Sequence, residues 1–188
     1  MAGKKAPTVI LLDTCAYLRL GRSFRPILTR LDGDPEYVLK VIAELDREFR
    51  KNPRLQTKFW WANQAEHAEE RAANRYSPTG KKAQEANIAF SYISRHAMDE
   101  HIQLSLIDMR VLCAGFASHG IVVTDDKAMQ SVADTFGIRW FSSLDLISLM
   151  YERERVTLGD IDGIIAYWRE FDDTPASIRS IREWRSGL

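Results

Sequence analysis

The chain has 188 residues, 45% hydrophobic and 28% charged, with 26 Lys and Arg against 26 Asp and Glu. That length and apolar fraction suit a folded domain and exclude wholesale disorder. A formal net charge of zero argues against extended, non-specific nucleic-acid binding, but it conceals an asymmetry: residues 1–58 carry +5 and residues 59–188 carry −5.

Thr8 to Asp13 is a continuous apolar run ending in an acid, as in a buried parallel strand. Ala16 to Arg30 reads as helical, broken near Gly21 and Pro26, and Leu31 to Pro35 is a turn cluster. Tyr37 to Ile42 predicts a second strand and Ala43 to Arg50 a helix, closed before Asn52-Pro53. Gln56 to Tyr76 predicts a polar helix with an aromatic start, and Lys81 to Glu100 another, together a helical pair over about residues 56–100. Gln103 to Leu106 is a candidate short strand, followed by a helix over Ile107 to Ser118 that His119-Gly120 stops. Ile121 to Thr124 predicts a strand, Lys127 to Phe136 a helix, and Ile138 to Phe141 a last strand. Ser142 and Asp145 have capping-box spacing for a helix to about Arg153. Thr157 to Asp173 is amphipathic, and Thr174-Pro175 is an N-cap pair for one final helix.

Strand alternating with helix predicts an α/β fold with a central parallel sheet flanked by helices. The expected organisation is one domain over residues 1–152 and a C-terminal helical appendage over 153–188. No apolar run reaches the roughly 20 residues of a membrane helix, and the N-terminus lacks the apolar stretch of a signal peptide. A cytoplasmic location is expected. Cys15 and Cys113 lack zinc-spaced partners, so neither a zinc site nor a disulfide framework is expected.

The informative residues are acids at predicted strand ends, where open parallel sheets build their sites. They are Asp13, Glu44, Asp108 and Asp126, with Asp125 beside the last. Carboxylates gathered in one place repel unless a cation neutralises them. Oxygen-only donors favour Mg²⁺ or Mn²⁺ over zinc, and such a site suits phosphodiester hydrolysis.

Four segments carry these acids in order: Ile10-Leu-Leu-Asp13-Thr-Cys-Ala, Val41-Ile-Ala-Glu44-Leu, Leu106-Ile-Asp108 and Val122-Val-Thr124-Asp-Asp126. Together they resemble the four motifs of PIN domains. Met129 stands where that family often has Phe, and the span from Glu44 to Asp108 is long for its small toxin members. The resemblance implies a Rossmann-like sandwich and a metal-dependent endoribonuclease, with Asp13, Glu44, Asp108 and Asp126 holding one or two Mg²⁺ or Mn²⁺ ions. Thr14 and Thr124 would orient Asp13 and Asp126, and Asp125 would be a ligand or a solvent-facing neighbour. The resemblance also implies an RNA substrate, a homodimer and, for a toxin of a toxin–antitoxin pair, an antitoxin partner. A PIN-like module that binds RNA or protein without turnover is the alternative.

Arg47, Arg50, Lys51 and Arg54 read equally as a phosphate-contacting rim or as a solvated helix face, as do Arg19, Arg22 and Arg25. Phe59, Trp60 and Trp61 read as core or as a dimer or partner surface rather than as a base-stacking platform, and the Glu66 to Arg75 charges as a solvated face. The four histidines read as surface or structural, and both cysteines as small buried apolar groups.

Overall fold

A computed structural model describes residues 6–171, 173–175 and 181–188, without the side chains of 181 and 182. The chain forms β1 (Thr8–Leu12), α1 (Thr14–Ser23), β2 (Tyr37–Ile42), α2 (Glu44–Lys51) and α3 (Pro53–Lys58). After a 3₁₀ turn at Trp60–Asn63 come α4 (Ala65–Ala73), β3 (Arg75–Tyr76), α5 (Gly80–Asp99) and α6 (Leu106–Ser118). Then follow β4 (Ile121–Val123), α7 (Lys127–Thr135), β5 (Arg139–Phe141), α8 (Ser143–Glu152), α9 (Leu158–Glu170) and α10 (Ile181–Ser186).

The strands make one parallel sheet in the order β3-β2-β1-β4-β5. β1 lies at its centre, with Ile10 opposite Leu39 on one side and Ile121 on the other. Period-two alternation sends Ile10 and Leu12 to one face and Leu11 to the other. The first face packs on α1, α8 and α9, and the second on α5, α6 and α7. α6 approaches β4 so closely that a Cβ on Gly115 would stand 2.5 Å from Val122 Cγ2.

The α/β architecture and its parallel sheet agree with the sequence, and four corrections follow from tertiary packing. The predicted helix over Gln56 to Tyr76 is instead α3, the 3₁₀ turn, α4 and β3. Asn52 caps α3 through Arg54 and Leu55 N–H, and Trp61 is buried under α1, its ring centroid 6.0 Å from that of Tyr17. Burying that indole breaks helical continuity, and Tyr76 then pairs with Ile42 as an edge strand. The candidate strand at Gln103 to Leu106 does not form: Ser105 is the N-cap of α6 and Leu106 its first residue.

The charges on and after α4 divide: Glu66, Glu69 and Arg75 are exposed as expected, and Glu70 and Arg71 are not. Arg71 is buried and donates to Asp46 Oδ1, Tyr17 Oη and the Ala62 carbonyl, while Glu70 accepts from Leu28 N–H. Cys113 is buried as expected, but Cys15 is exposed.

The C-terminal region is helical, and α9 shares the main core. Ile161, Ile164 and Trp168 are fully buried in the same apolar cluster as Ile10 and Leu12. The predicted start of the last helix after Thr174-Pro175 lies largely outside the described residues. Further on, Trp184 Nε1 donates to Ser148 Oγ of α8.

Val122 is a stiff β-branched side chain with no exposure, so it cannot yield to a new methyl group. Gly115→Ala is expected to lower stability by about 1–2 kcal/mol despite the better helix former. Chemical denaturation would show this as a lower midpoint at unchanged slope, and an unchanged midpoint would refute the close packing.

Candidate active site

A parallel sheet places every strand-to-helix junction on its carboxyl edge. Here the strand order reverses at β1, leaving a crevice between the ends of β1 and β4. The helices that open there are α1, α6, α7 and α8, so four N-termini converge with their partly positive ends. The resulting cleft has a volume of about 320 Å³. Asp13, Asp108, Asp125, Asp126 and Glu48 line it, together with Thr14 and Arg19.

Each aspartate enters as part of a helix start. Asp13 is the N-cap of α1 and accepts from Ala16 N–H at 2.6 Å. Asp126 caps α7 through Ala128 and Met129 N–H at 2.7 and 3.0 Å, all on Oδ1. Asp108 completes the capping box of α6, its Oδ2 accepting from Ser105 N–H at 2.9 Å. The same residue type that caps a helix thus also charges the crevice.

Asp13 is the most confined of these groups, 4% exposed. Burial pushes its pKa up from 3.8 to about 7, and nearby Asp125 and Asp108 push the same way. The Ala16 N–H and the Thr124 hydroxyl oppose the shift without cancelling it.

Asp125 is not solvent-facing. Arg19 donates to its Oδ2 at 2.6 Å, and Ser143 donates from both its backbone N–H and its hydroxyl. Asp125 therefore ties α1 to the start of α8. Of the two threonines, Thr14 serves another partner than expected, and Thr124 contacts Asp126 through that residue's backbone. Thr14 donates its hydroxyl to Glu48 rather than to Asp13. Thr124, fully buried, accepts from Asp126 N–H and lies against the Asp13 carboxyl.

Glu44 does not line this cleft. It lines a neighbouring pocket, and Glu48 occupies the position that the sequence reading gave to Glu44. α2 begins at Glu44 itself, so this residue stays over the ends of β2 and β3. One turn and roughly 6 Å further along the same helix face, Glu48 reaches the end of β1. A carboxylate spaced i+4 from Glu44 was the signal available in the sequence.

The basic residues divide. Arg47, Arg50, Lys51 and Arg54 are exposed, and none lines the cleft. Arg22 lies over the Tyr167 ring and Arg25 over the Trp61 ring, at 4.6 and 5.5 Å from the centroids. Only Arg19 of the predicted set borders the acids.

The donor set is hard oxygen only, the chemistry that Mg²⁺ and Mn²⁺ prefer. Asp108 Oδ1 and Asp126 Oδ2 have no hydrogen-bond donor among the described residues, whereas the opposite oxygen of each is engaged. Among the described residues, however, no three His, Cys, Asp or Glu side chains are drawn together into a metal-binding cluster. Each aspartate is turned instead onto its backbone or side-chain donors.

No protein-family model matches this chain, and no curated protein matches it. Among solved structures it is similar to a chain in the crystal structure of VapBC2 from Rickettsia felis bound to a DNA fragment from their promoter. The TM-score is 0.49 and the identity 10%, over 71% of this chain and 98% of that one. At that level the likeness assigns neither activity nor partner to this chain.

Asp13 loses its proton near 3.8 in the unfolded chain and near 7 in the folded one. The folded state therefore binds more protons between those values, and stability falls as pH rises through about 7. The span corresponds to roughly 4 kcal/mol at most. Asparagine cannot ionise and still caps a helix. In EDTA, Asp13→Asn is expected to melt several degrees above wild type at pH 8, with the difference closing toward pH 4. A difference that stays constant with pH would reject this account of the buried carboxyl.

Proposed function

We propose that this chain is a Mg²⁺- or Mn²⁺-dependent endoribonuclease of PIN type. One observation carries the proposal: five carboxylates from four separate segments of the chain line a single crevice at the carboxyl edge of a parallel sheet, around a buried aspartate whose pKa rises to about 7. Such a concentration of acid is costly for folding and is offset by a cation. Four of these five acids lie in three of the four motifs that resemble PIN domains.

In this reading Asp13, Asp108, Asp126 and Glu48 hold the cation. A divalent ion bound there supplies a water of lowered pKa and Lewis acidity toward a phosphate oxygen. Asp125, fixed by Arg19 and Ser143, keeps α1 and α8 in register around the crevice. Thr14 holds the Glu48 carboxylate beside Asp13. The converging helix N-termini favour an anionic phosphodiester against the acidic wall. The motif resemblance adds an RNA substrate, a homodimer and an antitoxin partner as parts of the same proposal. No described helix is long and apolar enough to cross a membrane.

The uncollected carboxylates favour a second reading, a PIN-like RNA- or protein-binding module without turnover. Cleavage of a labelled single-stranded RNA separates the two. Wild type with Mn²⁺ or Mg²⁺ is expected to cut, EDTA to abolish cutting, and Asp13→Asn to lower the rate by about two orders of magnitude. Because Asp13→Asn is also expected to be the more stable protein, its loss of activity would not be a loss of fold. Glu48→Gln is expected to weaken Mn²⁺ binding, followed by calorimetry, more than Glu44→Gln, and the reverse order would restore Glu44 to the metal site. Binding of RNA without cutting, with either ion, would establish the second reading.

A further inference from the structure

The pocket that holds Glu44 has a volume of about 250 Å³. It lies at the carboxyl ends of β2 and β3, closed by the first turns of α5 and by α6. It adjoins the acidic cleft along two helices: Glu44 and Glu48 are one turn apart on α2, and Asp108 and Arg110 belong to one turn of α6. Its walls are apolar and partly aromatic, from Ile42, Tyr76 and Ala86. Its polar side chains include Glu44, Asn87 and Arg110, with the hydroxyls of Ser77 and Tyr76. The volume is just under the roughly 300–1,000 Å³ of sites for drug-sized ligands, which suits a single flat ring system.

Arg110 is held without being neutralised. Its guanidinium lies over the Phe90 ring, 4.4 Å from the centroid, and among the described residues no carboxylate pairs with it. Among the described residues Glu44 has no ion-pair or hydrogen-bond partner either. The pocket therefore presents a carboxylate acceptor and a forked donor on apolar walls, both available to a ligand.

The geometry points to a guanine-binding pocket beside the acidic cleft. A carboxylate accepts from two adjacent donors, and among the four RNA bases only guanine offers two side by side, N1–H and the 2-amino group. Arginine in turn donates to guanine O6 and N7. Adenine and cytosine each put an acceptor where Glu44 requires a second donor, and uracil has a single N–H between two carbonyls. Tyr76 and Ile42 supply the apolar surface for the ring faces. Glu44 is thereby a specificity residue, and Asn87 supplies a further donor and acceptor at the rim.

The inference rests on the ribonuclease reading only for the source of the guanine, and its test requires no turnover. In EDTA, GMP, IMP, AMP, CMP and UMP are titrated calorimetrically into the full chain. GMP is expected to bind at least about tenfold tighter than AMP, CMP or UMP, with IMP, which lacks the 2-amino group, in between. Glu44→Gln and Arg110→Ala are each expected to weaken GMP by about tenfold, with circular dichroism unchanged. A guanine-containing RNA tetramer that binds tighter than GMP places the base in a strand crossing the cleft, and equal binding places it in a free nucleotide; both keep the pocket. Absence of a guanine preference, or GMP binding that neither variant changes, overturns it. GMP binding in a protein that cuts no RNA removes the ribonuclease reading and leaves the pocket standing.

Discussion

β1 is paired along both edges and covered on both faces, so it can deliver polar groups only at its ends. Its carboxyl end falls where the strand order reverses, and the chain that leaves it must turn at once into α1. Asp13 performs that turn. The residue needed to satisfy the first amides of the helix is therefore also the most deeply buried acid of the crevice. The same holds at Asp108 and Asp126, where capping oxygen and acidic site are one carboxylate.

That double use sets the electrostatics. Backbone N–H groups and helix dipoles stabilise each carboxylate separately, and Arg19 neutralises Asp125. Asp13 gains least from this arrangement, because its burial outweighs its hydrogen bonds. A tension remains that a hard cation or a proton relieves.

A second layer of polar contacts is supplied by the segment between β2 and α5. Arg71 reaches from α4 to Asp46 of α2 and to Tyr17 of α1, fixing α2 against the helix that Asp13 opens. Trp61 packs beneath, where Gly21 leaves room: a Cβ there would stand 2.7 Å from the indole. β3 then closes the far edge of the sheet and brings Tyr76 to the pocket that holds Glu44. This segment thus shapes the surroundings of the crevice, although Glu48 of α2 is the one cleft acid that comes from it.

Local signals sufficed for four of the five strands and most helices: an apolar run ending in an acid, a capping box, a glycine after a helix. The boundaries of β2 and the cap at Ser142 depend on near neighbours alone, and they were legible for that reason. The identity of Asp13, Asp108 and Asp126 as crevice residues was legible too, because strand order and parallel pairing send all βα junctions to one edge. What the linear order could not decide was rotation and long-range burial. Whether Glu44 or Glu48 faces β1 depends on where α2 begins, one turn being enough to change the cleft it lines. Whether Gln56 to Tyr76 remains one helix depends on Trp61 finding space under α1, and whether Arg71 is solvated depends on Asp46 and Tyr17, 25 and 54 residues away. Those partners meet only when the sheet has assembled, so only the tertiary structure could select among them.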